Sequence, residues 1–444
     1  MTDTIFALAS APGRAGVAVL RVSGPRAAAI LGSLAGGLPE PRRAALRALR
    51  GADGGVIDRG LVLWFPGPAS FTGEDCAEFH VHGGPAVIAA MADALSVAGA
   101  RPAEAGEFTR RAFEHGKLDL TEAEGLADLV DAETEGQRAQ ALAQLDGALK
   151  SLYEGWREEL IAILAAVEGE IDFPDEADVP EALSHTAAAP LESLIAALED
   201  HLADDRRGER VREGFVIALI GPPNAGKSSL LNALARREAA IVTEIPGTTR
   251  DIVEVRQVRA GFPVILADTA GLREAADIVE AEGVRRALAR AQDADLRLGV
   301  LDVSRETSHE RAALLARLRP GDALVLNKTD LAAPPQIDVP EGVRVIALSV
   351  KAAEGLDALE AFLDETVLDR LGRREAPALS RARHRRAVEE ALAALERARE
   401  QLGRHPELAG ADLHLAVRAL ESLTGRIDVE DVLDRVFSQF CIGK

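Results

Sequence analysis

The chain has 444 residues, a length that fits about three domains, and a formal net charge of −21. That acidity excludes a chain-wide electrostatic grip on phosphate backbones, so any nucleic-acid contact must use a local basic patch or a partner. Two cysteines and 3% aromatic residues exclude a disulfide framework and an aromatic stacking platform; with no basic-apolar leader and no bilayer-length apolar run, a cytoplasmic protein without a membrane partner is expected.

Residues 1–118 read as an α+β unit. Strand-like runs cover 5–8, 16–22, 60–65 and 77–81, and helical patterns cover 26–34 and 86–98. His80 and His82 share one strand face, where they are either a metal pair lacking a third ligand or hydrogen-bonded strand residues.

From Thr121 the texture becomes helical. Thr121 and Glu124 have capping-box spacing. Over 127–171 apolar residues recur at helical intervals, among them Leu142, Leu145, Leu149, Leu152, Trp156, Leu160, Ile163, Leu164 and Val167. Phe173-Pro174-Asp175-Glu176 interrupts this pattern, and a further helix is expected from Leu183 toward Asp205. Residues 119–211 are therefore read as the first part of an all-α domain.

The apolar run 215–220 opens onto Gly221-Pro222-Pro223-Asn224-Ala225-Gly226-Lys227-Ser228, a G-x-x-x-x-G-K-S loop between strand and helix. Backbone N–H groups of such a loop face phosphates at a positive helix end. Lys227 would neutralise the β and γ phosphates, and Ser228, followed by Ser229, would ligate Mg²⁺. Gly247-Thr248-Thr249-Arg250-Asp251 fits the first switch, with Thr249 as the second Mg²⁺ hydroxyl. Asp268-Thr269-Ala270-Gly271 fits the D-x-x-G segment.

Asn327-Lys328-Thr329-Asp330 follows an apolar strand and has the guanine-reading N-K-x-D form. Asp330 can accept from two donors on guanine that adenine does not offer, so ATP would leave a carboxylate unpaired. Ser349-Val350-Lys351 resembles the S-A-K loop that backs the base, with Val350 where alanine is usual. Position 272 is leucine, which cannot orient water, so the hydrolytic group must come from the polar residues that follow: Arg273, Glu274, Asp277, Glu280 or Glu282. Residues 212–373 are read as a Ras-like α/β GTPase domain binding GTP.

Arg381, Arg383, His384, Arg385 and Arg386 form the one dense basic cluster, as consistent with a tRNA contact as with a solvated helix start. A second helical part, 374–444, follows. Helical segments flank the GTPase unit on both sides, which predicts one helical domain with the GTPase domain inserted. The chain ends in Cys-Ile-Gly-Lys, whose Gly-Lys does not suit prenylation.

Several stretches carry a resemblance. They are Asp3-Thr4-Ile5, Pro12-Gly13-Arg14-Ala15-Gly16 and Arg21-Val22-Ser23-Gly24; Phe71-Thr72-Gly73-Glu74-Asp75 with His82-Gly83-Gly84-Pro85; Gly106-Glu107-Phe108-Thr109 with Gly116-Lys117-Leu118-Asp119-Leu120; the P-loop with Asn224; residues 268–274; and terminal Phe440-Cys441-Ile442-Gly443-Lys444. On these the chain resembles, over nearly its full length, the tRNA-modification GTPases of the MnmE or TrmE family.

The resemblance implies a potassium-dependent GTPase whose GTPase domains meet across a homodimer. Asn224 then corresponds to the P-loop K⁺ ligand, and Thr243, Ile245 and Thr248 lie where a K⁺ loop supplies oxygens, in a nucleotide-covering stretch that includes Glu244, Pro246 and Gly247. Glu280 falls where the family's water-orienting glutamate lies. It further implies that the N-terminal domain dimerises and binds a reduced folate, 5-formyl- or 5,10-methylene-tetrahydrofolate, through Arg21, Glu78, Lys117 and Lys444, with Cys441 either a thiol for chemistry or a packing residue. An FAD-dependent partner of MnmG or GidA type, in a heterotetramer, and tRNA complete the expected set. The implied reaction adds an aminomethyl or carboxymethylaminomethyl group to C5 of the wobble uridine. A regulatory GTPase switch acting on ribosomes or assembly, without modification chemistry, is the other class the P-loop motifs permit.

Overall fold

The computed structural model describes residues 3–172, 183–204, 206–237, 254–268, 294–372, 377–427, 430–438, 440 and 443. The chain forms two compact units, one of residues 1–127, 144–194 and 390–444 and one of residues 128–143 and 195–389. Among the described residues no helix is long and apolar enough to cross a membrane.

The first unit is built on a six-stranded sheet of order β3-β4-β5-β2-β1-β6. Its strands are β1 (Ile5–Leu8), β2 (Ala15–Ser23), β3 (Ala45–Arg50), β4 (Val56–Phe65), β5 (Cys76–Gly83) and β6 (Arg101–Pro102). Period-two alternation sets the faces. Ala18, Leu20 and Val22 of β2 join Ala77, Phe79 and Val81 of β5 in a core shared with Ile30, Leu31, Met91 and Leu95 of the helices Ala27–Ala35 and Pro85–Val97. Arg21, Glu78 and His80 take the opposite register and are only partly buried. Two strands, β3 and β6, go beyond the four expected. β3 reads Ala-Leu-Arg-Ala-Leu-Arg, a helix-favouring composition that sheet pairing with β4 overrides.

The helical pattern expected over 127–171 is broken by local caps into helices Leu120–Asp131, Glu135–Leu145 and Ala148–Asp172. The first starts at Asp119, not at Thr121. The Asp119 carboxylate accepts from the Glu122 N–H at 2.8 Å and from the Thr121 hydroxyl at 2.8 Å, while Glu122 accepts from the Asp119 N–H at 2.7 Å. The capping box is thus Asp119/Glu122 instead of Thr121/Glu124. Thr134 and Gln137 restart the helix at 135, and Gly147, at φ +87°, precedes the next.

Helix Ala148–Asp172 packs along helix Pro406–Thr424. Buried Tyr153, Trp156, Leu160, Ile163 and Val167 lie on the first, and Leu413, Ala416, Leu420 and Leu423 on the second. Each fully buried Leu or Ile contributes about 1.5–3 kcal/mol. The antiparallel register shows in three pairs: Glu154–Arg426 at 2.8 Å, Arg157–Glu421 at 2.7 Å and Glu168–His414 at 2.7 Å. Helix Glu430–Phe437 then brings Phe437 and Phe440 against Phe113 and Leu120.

The second unit holds a six-stranded sheet of order β12-β11-β10-β7-β9-β8. Its strands are β7 (Phe215–Ile220), β8 (Glu254–Arg259), β9 (Phe262–Asp268), β10 (Leu296–Asp302), β11 (Ala323–Asn327) and β12 (Arg344–Ala347). All neighbours are parallel except the β8–β9 hairpin. Strands of a parallel sheet are covered on both faces, which explains their unbroken apolar runs. The order reverses at β7, between β9 and β10, so the crevice for a ligand lies at the carboxyl ends of these three strands. The P-loop, Asp268 and Asp302 stand at those ends.

Candidate functional site

The turn from β7 into helix Lys227–Arg237 depends on two glycines in the left-handed region. Gly221, at φ +152°, approaches β10 so closely that a Cβ would lie 2.2 Å from the Val300 carbonyl oxygen; Gly226 is at φ +96°. Asn224 is also left-handed, at φ +62°, a conformation asparagine tolerates better than most residues. The buried Lys227 ammonium donates to the Gly221 and Pro222 carbonyls at 2.9 and 2.8 Å. Carbonyls are weaker partners than phosphate oxygens, so this ammonium is already desolvated and poised for an anion.

The Ser228 hydroxyl donates to Asp268 Oδ2 at 2.5 Å. The P-loop serine and the first residue of D-x-x-G, 40 positions apart, therefore share one point at the carboxyl ends of β7 and β9. An oxygen pair of this kind, one neutral hydroxyl and one carboxylate, suits a hard divalent cation.

The N-K-x-D loop is fixed from beneath. Asn327 Nδ2 donates to the Ala225 carbonyl at 2.9 Å, and Asn327 Oδ1 accepts from the Lys328 N–H at 2.8 Å and from the Val350 N–H at 3.4 Å. The Val350 contact is made by backbone, which is why valine serves there. The Ser349 hydroxyl donates to Asp330 Oδ1 at 2.6 Å and accepts from the Ala352 N–H at 3.1 Å, holding the plane of the Asp330 carboxylate. Thr329 donates its N–H to the Leu348 carbonyl. Lys351, at the rim, is exposed. Asn327, Lys328 and Val350 are thus joined by hydrogen bonds to Ala225 of the P-loop or to one another, Gly226 lies against Asn327, Thr329, Asp330 and Ser349 pack beside them, and Ser229 is exposed on the helix that follows. Thr243, Glu244, Ile245, Pro246, Gly247, Thr248, Thr249, Thr269, Ala270, Gly271 and Glu280 lie outside the described residues, as do Cys441 and Lys444.

Sequence reasoning passed over Asp302 at the end of β10. Its Oδ2 accepts from Lys328 Nζ at 2.6 Å, and its Oδ1 accepts from the Ser304 N–H and hydroxyl at 2.9 and 2.6 Å. Burial would raise its pKa, but these hydrogen bonds and the ammonium outweigh it and hold the carboxyl below the usual range. The available signal was positional: an acid closing the strand next to the P-loop strand.

In the first unit Arg21 and Glu78 are direct cross-strand partners on β2 and β5. The guanidinium meets Glu78 Oε1 at 3.0 Å, and Glu78 Oε2 faces His80 Nε2 at 3.1 Å. Arg21 also lies 5.5 Å from the Phe71 ring centroid and 5.9 Å from that of Phe108. Lys117 Nζ donates to the Pro68 carbonyl at 2.9 Å, so the segment joining β4 to β5 touches both cations. His82 pairs with Asp58 at 2.9 Å.

Three of the quoted motif stretches converge on Arg111, which has no solvent exposure. It donates to Asp3 Oδ1 at 3.0 Å, Glu74 Oε2 at 3.0 Å and Glu107 Oε1 at 2.9 Å. Burial raises the pKa of Glu107, but its bonds to Arg101, the Glu104 N–H and Arg111 prevail and lower it. Asp3-Thr4-Ile5, Phe71 to Asp75 and Gly106 to Thr109 are therefore tied together by structure.

The basic cluster 381–386 is largely consumed inside the second unit. Arg381 pairs with Asp128 at 2.7 Å, Arg385 with Asp204 at 2.6 Å and Glu209 at 3.3 Å, and His384 is buried. Of the five, Arg386 alone falls among the exposed residues. That leaves little of the cluster to meet a phosphate backbone.

Comparisons with known proteins place the chain in a family. Residues 4–117 match the family described as the GTP-binding protein TrmE N-terminus. Residues 120–441 match the MnmE helical domain. The chain is 66% identical over 445 residues to the tRNA modification GTPase MnmE of Maricaulis maris, covering all of both chains. It is 56% identical to the MnmE of Phenylobacterium zucineum and of Caulobacter vibrioides, again over the whole of each chain. Among solved structures, the G domain of the T. maritima FeoB iron transporter is 28% identical, with a TM-score of 0.27 over 34% of this chain and 98% of that one. The motifs, the P-loop geometry and the full-length relatives lead to one conclusion: the chain belongs to the MnmE family of tRNA modification GTPases.

Proposed function

We propose that this GTPase acts in modifying the wobble uridine of certain tRNAs at C5, installing an aminomethyl or carboxymethylaminomethyl group with a reduced folate as one-carbon donor. The observation that carries the GTPase half is the 2.5 Å contact of Ser228 with Asp268 beside the desolvated Lys227 ammonium. Ser228, with Thr249, would hold Mg²⁺, which supplies charge stabilisation to the transferring phosphoryl group. Asn224, Thr243, Ile245 and Thr248 would hold K⁺ beside the β and γ phosphates, and Glu280 would orient the attacking water. Asp330 reads guanine while Ser349 keeps its carboxylate in plane.

The folate half rests on Arg21 and Glu78. An Arg–Glu pair beside the exposed Phe71, with buried Phe108 beneath the arginine, offers an acceptor for an amide-like pteridine edge, the Phe71 ring as aromatic surface and a cation for the carboxylate tail. Lys117 and Lys444 add cations, and Cys441 is a thiol near the chain end for chemistry or packing. The working assembly is a cytoplasmic homodimer joined by an FAD-dependent partner of MnmG type in a heterotetramer, with residues 1–118 binding folate, 119–211 and 374–444 forming the helical domain and 212–373 the GTPase. GTP hydrolysis would drive an opening and closing of the GTPase domains that gates the site.

Complementation tests the proposal. Expressed in a bacterium lacking its own tRNA modification GTPase, the intact chain should restore the modified wobble nucleoside measured by mass spectrometry, and Glu280→Ala and Arg21→Ala should not. In vitro, turnover should fall sharply when Na⁺ replaces K⁺. Equal rates in the two salts would remove the potassium role, and restoration by Arg21→Ala would remove the folate site.

A further inference from the structure

Lys328 is tied at both ends of its side chain. Its backbone is left-handed at φ +66°, and its Nζ donates to the Asn224 carbonyl at 2.9 Å and to Asp302 Oδ2 at 2.6 Å. Asp302 in turn is anchored: its backbone carbonyl accepts from the Glu306 N–H at 3.0 Å, and its Oδ1 from Ser304. Asp302 and Asn327 are aligned partners on the parallel strands β10 and β11. The acid therefore faces the residue after Asn327 by sheet register, not by loop chance. The Asp302 side chain is 10% exposed and that of Lys328 is 32% exposed, so solvent reaches the pair from the lysine side only in part.

From this we infer that Asp302 is a positioning residue for guanine-nucleotide binding. It acts through Lys328, whose ammonium it holds against the Asn224 carbonyl so that the lysine stem and the left-handed P-loop residue stay in one arrangement. The cation has two jobs of different kinds. One is to neutralise Asp302; the other is to brace the P-loop at the residue where its backbone is strained. Removing the carboxylate charge leaves the ammonium with a single neutral acceptor, free to sample rotamers that leave Asn224 unsupported. The inference rests on nucleotide binding at this P-loop and on nothing about potassium, folate or tRNA.

The experiment is a double-mutant cycle on GDP affinity, measured by calorimetry with the full chain in NaCl so that potassium plays no part. Asp302→Asn keeps an oxygen for Ser304 and replaces the charged acceptor facing Lys328 by an amide N–H₂. It should weaken GDP about tenfold, near the 1.4 kcal/mol to which that factor converts, while kcat at saturating GTP in KCl stays within about twofold. In a Lys328→Met background the same change should bring no further loss, or a partial recovery, because the acid then has no cation to hold. Wild-type affinity in Asp302→Asn, or an equal tenfold loss in both backgrounds, would overturn the positioning role. Should Asp302→Asn fail to fold, Asp302→Ser enters the same cycle. Failure of the unmodified chain to bind GDP at all would refute the nucleotide site itself and so is distinguishable.

Discussion

A Cβ added to Gly226 would lie 2.3 Å from Asn327 Nδ2, and that amide is itself pinned to the Ala225 carbonyl at 2.9 Å. The P-loop and the N-K-x-D loop, about a hundred residues apart in sequence, thus touch where the backbone allows only glycine. Gly226→Ala would meet both a left-handed φ of +96° and a side chain with no room to retreat. Strain of this kind costs about 1–3 kcal/mol at the residue, and displacing Asn327 adds a lost buried hydrogen bond worth about as much. Nucleotide affinity should fall at least a hundredfold, read by fluorescent-GDP titration, with the helix content of the chain unchanged. Affinity within threefold of the parent would show that the loop can relax.

Arg111 offers a test of the first unit alone. With no exposure and three carboxylates around it, it is the kind of buried ion whose removal leaves uncompensated charges. Breaking such a pair costs about 3–5 kcal/mol. Arg111→Met should lower the denaturant midpoint followed by the fluorescence of Trp64 and Trp156, both of which lie in this unit. It should leave GDP affinity of the second unit within about twofold. An unchanged midpoint would mean that Asp3, Glu74 and Glu107 find other partners.

The GTPase unit was legible because its chemistry is local. A phosphate cradle, a strand end and a base loop each need specific residues at fixed spacing, and the parallel sheet marks its strands with apolar runs. What eluded pattern reading was set by distant contacts. β3 carries helix-favouring Ala, Leu and Arg and is a strand only because β4 pairs with it. β6 is two residues long, Arg101 and Pro102, and exists only beside β1. The cap at Asp119 differs by two residues from the Thr121 spacing, because an aspartate and a threonine both cap well and only the backbone decides between them. For Asp302 the sequence offers only its place at the end of a strand, because register across β10 and β11, not closeness in the chain, brings it to Lys328.

His201 gives the second unit a pH dependence. It is 6% exposed, and burial lowers its pKa to about 4, with the nearby Asp204 raising it and Arg385 lowering it less strongly. The unfolded chain has an ordinary histidine near 6.5 and so binds more protons than the folded chain between these values. Stability is therefore full above pH 6.5 and is lost as pH falls toward 4, by roughly 3 kcal/mol at most. Hydrogen exchange in the helix Leu183–Leu202 should accelerate through that window beyond the intrinsic rate change. His201→Gln should flatten the dependence; a variant with the parent's acid sensitivity would shift the cause to the carboxylates.

The chain end is tested by Gly443. At φ +109°, a Cβ there would lie 2.3 Å from the Leu8 carbonyl oxygen and 3.0 Å from the Leu8 carbonyl carbon. Both atoms belong to the backbone of β1, so neither can swing away. The neighbouring anchor is aromatic: Phe437 lies 6.3 Å from Phe113 and 5.8 Å from Phe440, centroid to centroid. Gly443→Ala should therefore release the last residues while the Phe440 anchor holds, and digestion by a carboxypeptidase should then proceed to Phe440 and stop. If the tail carries a folate contact, folate affinity should drop about tenfold in the same variant, with GTP hydrolysis unaffected. Resistance to digestion equal to that of the parent would mean that strand β1 yields to the added methyl, and that the glycine is there for its φ alone.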